Sequence, residues 1–247
     1  DQMALLRRAR GPRAHAQRLG GEGGLLPAED HAATLAIMRQ FGREPMSMTH
    51  GDFDYHYPLA LALDAQGNRR FSRLSFAGHF DMLMFGRRGI ERPADEAALN
   101  PYRARFAAMF ARLKREHGVR YFLAHNMTVT PRNVDQIAGV ISACRGDGFG
   151  MFSFQPAAFV GDDRRWHEDS RDTEADQVWA QIEAGGGSRL PVRAGQGGDT
   201  RRKMTATGGA ARQPWDPVQG DTVPTQPRHR PAVLRAAAGA ARQAEPA

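Results

Sequence analysis

The sequence predicts an α/β fold in which parallel strands alternate with helices. Two observations carry this. Between residues 20 and 183, short apolar runs bounded by turn residues alternate with segments whose apolar residues recur at helical spacing. Polar residues then gather where each apolar run stops. Strand–helix alternation implies a parallel sheet with right-handed helical crossovers, either left open or closed partly or wholly into a barrel. In both forms ligands bind at the carboxyl ends of the strands.

Each element follows from local chemistry. About five strands are counted if one ends just before Gly20. Pro27 suits a first helical turn, Leu35, Met38 and Phe41 share one face, and Gly42 suits the stop. Pro45–Thr49 reads as a strand and Phe71–Phe76 as the next, with 52–70 between them read as a loop. Asn100-Pro101 opens a helix lined by Phe106, Met109, Phe110 and Leu113 and closed by Gly118. Val119–Met127 is a strand. Thr130-Pro131 opens a helix carrying Val134, Ile137, Ile141 and Cys144, closed by Gly146 and Gly148. Met151–Phe154 is a short strand, and Thr173-x-x-Asp176 is a capping box before Val178, Trp179 and Ile182.

Three regions differ in composition. Residues 1–19 and 184–247 lack hydrophobic periodicity and are rich in Arg, Gly, Ala and Pro, so each is expected to be atypical or disordered. Of the net charge of +7, the first contributes +4 and the second +6, which leaves 20–183 at −3. Basicity therefore sits in unpatterned ends without interleaved aromatics, which argues against nucleic-acid binding. No apolar run reaches the ~18 residues of a membrane span, and the Arg-rich start has no apolar core of a signal peptide. With a single cysteine there is no internal disulfide framework. These features lead to the expectation of a cytoplasmic protein with no membrane partner.

At the expected strand ends sit Glu22, Thr49-His50, Ser75 through His79, His125-Asn126 and Gln155. Glu22 can accept a charge-assisted bond from an ammonium group, and glycines beside it allow close backbone approach. Ser75 and Asn126 can hydrogen-bond a sugar or a carboxylate.

The ordered series resembles the core of the radical S-adenosylmethionine (SAM) superfamily over roughly Gly20 to Glu183. Gly20-Gly21-Glu22 is similar to the family's Gly-Gly-Glu segment, whose backbone and carboxylate hold the amino group of SAM. Met46–Gly51 resembles a strand that often ends Thr-Asn-Gly, with His50 in place of Asn. Arg73-Leu-Ser75-Phe resembles a strand whose serine approaches SAM. Val129–Ile137 and Met151–Pro156 follow in the expected order. The resemblance implies a partial (β/α) barrel of parallel strands with outer helices, lacking its first strand. It implies SAM as ligand, with Gly20, Gly21, Glu22, Thr49, His50, Ser75 and Asn126 around it. A complete parent would use a [4Fe–4S] cluster to cleave SAM to a 5′-deoxyadenosyl radical, on a substrate that no residue pattern names. That cluster needs three closely spaced cysteines. These residues supply only Cys144, on an apolar helical stripe, so the chain reads as an inactive fragment with no cluster of its own.

Two other classes compete. His50, His79 and His125 fall near three successive strand ends, with Asp52, Asp54, His56 and Asp81 nearby, as a metal-dependent hydrolase would arrange them. A non-catalytic remnant serving as a binding module is the third. Gly86-Arg87-Arg88-Gly89 and Asp162–His167 read as surface loops.

Overall fold

A computed structural model of the chain describes residues 2–10, 14–18, 22–83, 91–157, 173, 175–190, 208–209 and 216–217. Gly20, Gly21, the 86–89 and 162–167 loops and most of 184–247 lie outside these described residues. Two compact units divide the chain. One comprises Asp1–Thr128 and Gly139–Gln155, the other Val129–Ala138 and Pro156–Ala247.

The larger unit contains α1 (Gln2–Arg10), β1 (Ala14–Arg18), α2 (Ala28–Gln40), β2 (Arg43–Thr49), α3 (His56–Ala62), β3 (Arg73–His79) and α4 (Asn100–His117). β4 (Arg120–Val129), α5 (Ile137–Gly146) and β5 (Met151–Pro156) follow. The sheet order is β1-β2-β3-β4-β5. The ladders β1–β2, β2–β3 and β3–β4 are all parallel. Gly150 N donates to Leu123 O at the start of β5. Sequential order means that every crossover steps the same way, and right-handed crossovers then place the helices on one face of the sheet. The α/β class with parallel strands and flanking helices is therefore as the sequence implies.

The two faces of the sheet differ. On the helix-covered face, Phe76 meets His31 of α2 and Phe110 of α4, with ring centroids 6.0 and 5.0 Å away. Phe53, Phe80, Phe106, Phe110 and Leu113 complete this core, all buried. His31 is fully buried and satisfied: its Nδ1 lies 2.9 Å from Tyr57 Oη and its Nε2 2.7 Å from Ser47 Oγ. On the other face Met46, Ala77 and Ala124 form a small cluster flanked by the half-buried Met48 and Phe122. Alternation along each strand separates these sets.

Several boundaries differ from expectation. The strand expected before Gly20 is β1, whose five residues pair with Arg43–Ser47; α1 precedes it in the stretch expected to be disordered. Tertiary pairing supplies what that segment's composition lacks. Pro45 is tolerated inside β2 because the β3 ladder begins only at Ser47, where β2 gains its second neighbour. Residues 52–70, read as a loop, contain α3: Asp54 Oδ1 accepts from His56 N at 2.9 Å, and Pro58 sits in the first turn, where its missing N–H is harmless. α4 ends at Gly118 in the left-handed conformation, φ 66°.

β3 runs to His79 rather than stopping at Phe76. Gly78 hides this continuation, because glycine weakens a strand signal. Its reason is steric: a Cβ there would lie 2.5 Å from Phe80 and 3.2 Å from Phe106.

The helix expected from Pro131 begins only at Ile137, after a 3-10 turn at Val134–Gln136. Asn133 Oδ1 accepts from Thr130 N at 2.8 Å and holds a tight turn that competes with helix there. α6 (Ala175–Gly186) forms as expected, but not through the capping box, since Thr173 Oγ1 has no hydrogen-bond partner among the described residues. β6 (Gly208–Gly209) and β7 (Asp216–Pro217) form a short antiparallel ladder.

Candidate functional site

The parallel ladders bring the carboxyl ends of β1 to β4 to one rim. Thr49 pairs with Gly78, Gly78 with His125, and His79 with Asn126, so the ends of β2, β3 and β4 are level. Glu22 reaches this rim through its bonds to Thr49 and His50 at the end of β2.

Glu22 ties the first two strand ends together. Its Oε1 accepts from Gly24 N at 2.9 Å and from Thr49 Oγ1 at 2.5 Å. Its Oε2 accepts from His50 N at 2.7 Å and lies 3.7 Å from His50 Nε2. Burial acts to raise the carboxyl pKa. The bonds from Thr49, Gly24 and His50, with the charge on His50, outweigh it and hold Glu22 below the usual glutamate value. Gly51 then turns the chain with φ 68°. A Cβ there would also sit 2.9 Å from Phe106 and Phe80, so both conformation and space demand glycine.

A second carboxylate stands at the end of β3. Asp81, with its side chain 1% exposed, accepts from His79 Nε2 at 2.6 Å, from Thr128 N at 2.9 Å and, through Oδ1, from Leu83 N at 3.0 Å. Burial again opposes ionisation, and the hydrogen bond from His79 with two backbone N–H groups overcomes it, so Asp81 is held below the usual aspartate value. The His50 and His79 ring centroids are 5.6 Å apart. Glu22, His50, His79 and Asp81 thus form a continuous row along the rim. Asn126 stands beside it and donates from Nδ2 to Met48 Sδ at 3.6 Å.

Beneath the rim lies a buried charge network that the sequence concealed. Arg103 of α4 is fully buried. Its Nε donates to His125 Nε2 at 3.1 Å, and one Nη donates to Glu96 O at 2.5 Å and Asn100 Oδ1 at 2.9 Å. The other Nη donates to Phe80 O at 3.2 Å and Glu96 Oε2 at 2.6 Å. All five guanidinium N–H groups therefore have acceptors. Glu96 Oε1 accepts in turn from Met82 N at 2.9 Å. The network clamps Phe80 and Met82, the backbone on either side of Asp81. An Arg at a helical position reads as solvated in sequence. Only its helical spacing to Phe106 and Phe110, three and seven residues on, signalled otherwise.

The structure brings together Glu22, Thr49, His50 and Asn126, with His79 and Asp81 of the alternative metal set on the same rim. It corrects Ser75 and His125. Ser75 is the third residue of β3 and pairs with Phe122, whereas His79 pairs with Asn126. Four residues separate Ser75 from the rim, roughly 13 Å along a strand. It looked terminal because the strand was ended too early. His125 is fully buried on the helix-covered face, where Arg103 takes its Nε2. Burial, with the Arg103 charge, pushes its pKa down to about 3, so it stays neutral. The set His50, His79 and His125 therefore does not converge on one ion. Among the described residues no group of three His, Cys, Asp or Glu has a metal-holding arrangement. Asp54 caps α3, and Gln155 is exposed at the end of β5. Gly20 and Gly21 lie outside the described residues.

Cys144 does not suit an iron–sulfur cluster. It is fully buried, and burial pushes its thiol pKa up to about 12, far from the thiolate a cluster needs. Among the described residues no helix is long and apolar enough to cross a membrane. Neither protein-family models nor curated proteins yield a match to this sequence.

Proposed function

We propose that the rim formed by β1 to β4 binds S-adenosylmethionine, and that the chain is the SAM-holding portion of a radical-SAM-type partial barrel. One observation carries this reading. The rim keeps several acceptors for a ligand beside its two carboxylates. Glu22 Oε2 keeps a lone pair beyond its bond to His50 N. His79 Nδ1 and Asn126 Oδ1 have no hydrogen-bond partner among the described residues. Two carboxylates held ionised, Glu22 and Asp81, lie within the same row. Such a rim favours a cationic, donor-rich ligand and disfavours a phosphate. SAM has an ammonium, a sulfonium, an adenine amino group and ribose hydroxyls.

The sequential strand order also supports the reading, because each strand end contributes to one rim without the order reversal that splits an open doubly wound sheet. Glu22 and Asn126 are the expected SAM contacts. The cluster does not fit these residues, and radical chemistry belongs, on this proposal, to a complete parent that supplies cysteines. The substrate of that parent stays open.

Isothermal titration of the full chain with SAM, S-adenosylhomocysteine and ATP tests the proposal. SAM is expected to bind most tightly, with S-adenosylhomocysteine weaker for want of the sulfonium charge. ATP is expected not to compete. Glu22→Gln and Asn126→Ala are expected to weaken SAM binding about 5–10-fold each, the loss of one hydrogen bond or charge contact. Absence of SAM binding, or equal binding of ATP, would overturn the assignment.

A further inference from the structure

We propose that His79 is a ligand-binding residue of the rim, its bare Nδ1 accepting a hydrogen bond from a hydroxyl or ammonium group of the bound molecule. The geometry behind this is a carboxylate–imidazole dyad. Asp81 is buried and fixed by the backbone N–H groups of Thr128 and Leu83, so its oxygens cannot turn away. It accepts a hydrogen bond from His79 Nε2 at 2.6 Å. Thr128 Oγ1 lies on the same nitrogen at 3.4 Å. A neutral imidazole with Nε2–H committed to a carboxylate presents Nδ1 as an acceptor. The His79 side chain is 28% exposed, so this nitrogen belongs to an accessible surface, unlike His125 beneath it.

The dyad has the features of an orienting pair rather than of a casual surface ion pair. Its carboxylate is buried and its imidazole is partly exposed. The clamp from Arg103 to Phe80 O, and from Glu96 to Met82 N, fixes the backbone on both sides of Asp81. A buried carboxylate that sets an imidazole's tautomer is the arrangement by which proteins make one ring nitrogen a dedicated acceptor. Neither composition nor the resemblance assigned His79 a part in SAM binding. The ligand arm of the test below rests on the SAM reading, and the spectroscopic arm does not.

Asparagine and glutamine separate a binding role from a structural one. The Asn side-chain carboxamide reaches where His Nδ1 stands, and that of Gln reaches where Nε2 stands. If His79 serves the ligand, His79→Asn keeps SAM affinity within about 3-fold, whereas His79→Gln and His79→Ala each lose about 5–10-fold. If His79 only anchors Asp81, the order inverts: Gln retains affinity and Asn loses it, which overturns the proposal. Thermal melts of each full-length variant identify any that fail to fold, and affinities are compared only among folded variants. In the second arm, ¹⁵N NMR of the imidazole in the ligand-free full chain at pH 8 is expected to find the proton on Nε2 and Nδ1 bare. A proton on Nδ1 overturns the proposal whatever the binding data. Should the wild-type chain bind no SAM, the SAM reading fails, and the tautomer then decides the dyad alone.

Discussion

Neutralising Glu96 probes the buried network most directly. Arg103 and Glu96 are both essentially excluded from water and meet at 2.6 Å. Their burial is tolerable only because every guanidinium N–H has an acceptor and Glu96 also accepts from Met82 N. Glu96→Gln keeps the size of the side chain but leaves a guanidinium buried without its counter-charge, which costs about 3–5 kcal/mol. Arg103→Met leaves the Glu96 carboxylate buried without its counter-charge, a loss of similar size. The double variant removes both charges. What stays lost is the set of bonds from Arg103 to His125, to Asn100 and to the Phe80 and Glu96 carbonyls, so the double variant is expected to be less destabilised than the sum of the two singles. The coupling energy is expected to exceed about 2 kcal/mol, within the range for residues in one buried network. Urea denaturation of the four proteins, with the slope checked for constancy, measures this. A Glu96→Gln cost under about 1 kcal/mol, or additive singles, would refute the idea that this pair is dry and mutually dependent. The clamp also holds the Asp81 segment, so Glu96→Gln should weaken rim binding although Glu96 touches no ligand.

Further outcomes follow from the same geometry. His125 is neutral with its pKa pushed down to about 3, while the unfolded chain protonates near 6.5. The unfolded state therefore binds more protons between those values, and stability should fall by up to about 1.4 kcal/mol per pH unit as the pH drops through that window. His125→Gln, which keeps an acceptor for Arg103, should flatten the fall between about pH 6.5 and 5 in urea titrations, and an unchanged slope would contradict the assignment. Glu22 and Asp81 are both held below their ordinary values, so their stabilisation is complete above the unfolded carboxylate pKa and is lost as the pH falls through the folded ones. Asp81→Asn should accordingly reduce the acid sensitivity below about pH 4 while lowering stability at pH 7. Gly78→Ala forces a methyl against Phe80 and Phe106 and is expected to cost about 1–3 kcal/mol by the same denaturation assay, with no cost implying that the aromatic pair can shift. Reconstitution of the full chain with iron and sulfide under anaerobic conditions should give no SAM-perturbed cluster signal by electron paramagnetic resonance and no 5′-deoxyadenosine, because the buried Cys144 is the single thiol present. A cluster signal with product would overturn that reasoning.

Sequence by itself determined the class of fold and the strands that make the rim. Alternating strand and helix signals implied a parallel sheet, and the places of β2, β4 and β5 were legible to within two residues of their ends because their apolar runs are bounded by glycine, proline or charge. Glu22, Thr49, His50 and Asn126 could be singled out because polar groups beside apolar strands at a carboxyl end are costly unless they bond or bind something. Tertiary structure alone decided three things. It extended β3 through Gly78, since ladder partners and the Phe80–Phe106 contact matter more there than local propensity, and this moved the site from Ser75 to His79. It buried Arg103, because a charge can leave water only when distant residues supply Glu96, His125 and the carbonyls together, a condition no local window contains. And it sent His125 and Asn126, adjacent in sequence, to opposite faces of one strand, so that one braces the helix layer and the other stands beside the rim. Side-chain alternation is implicit in any strand, but which face carries the ligand depends on where the helices pack, and that is a property of the assembled sheet.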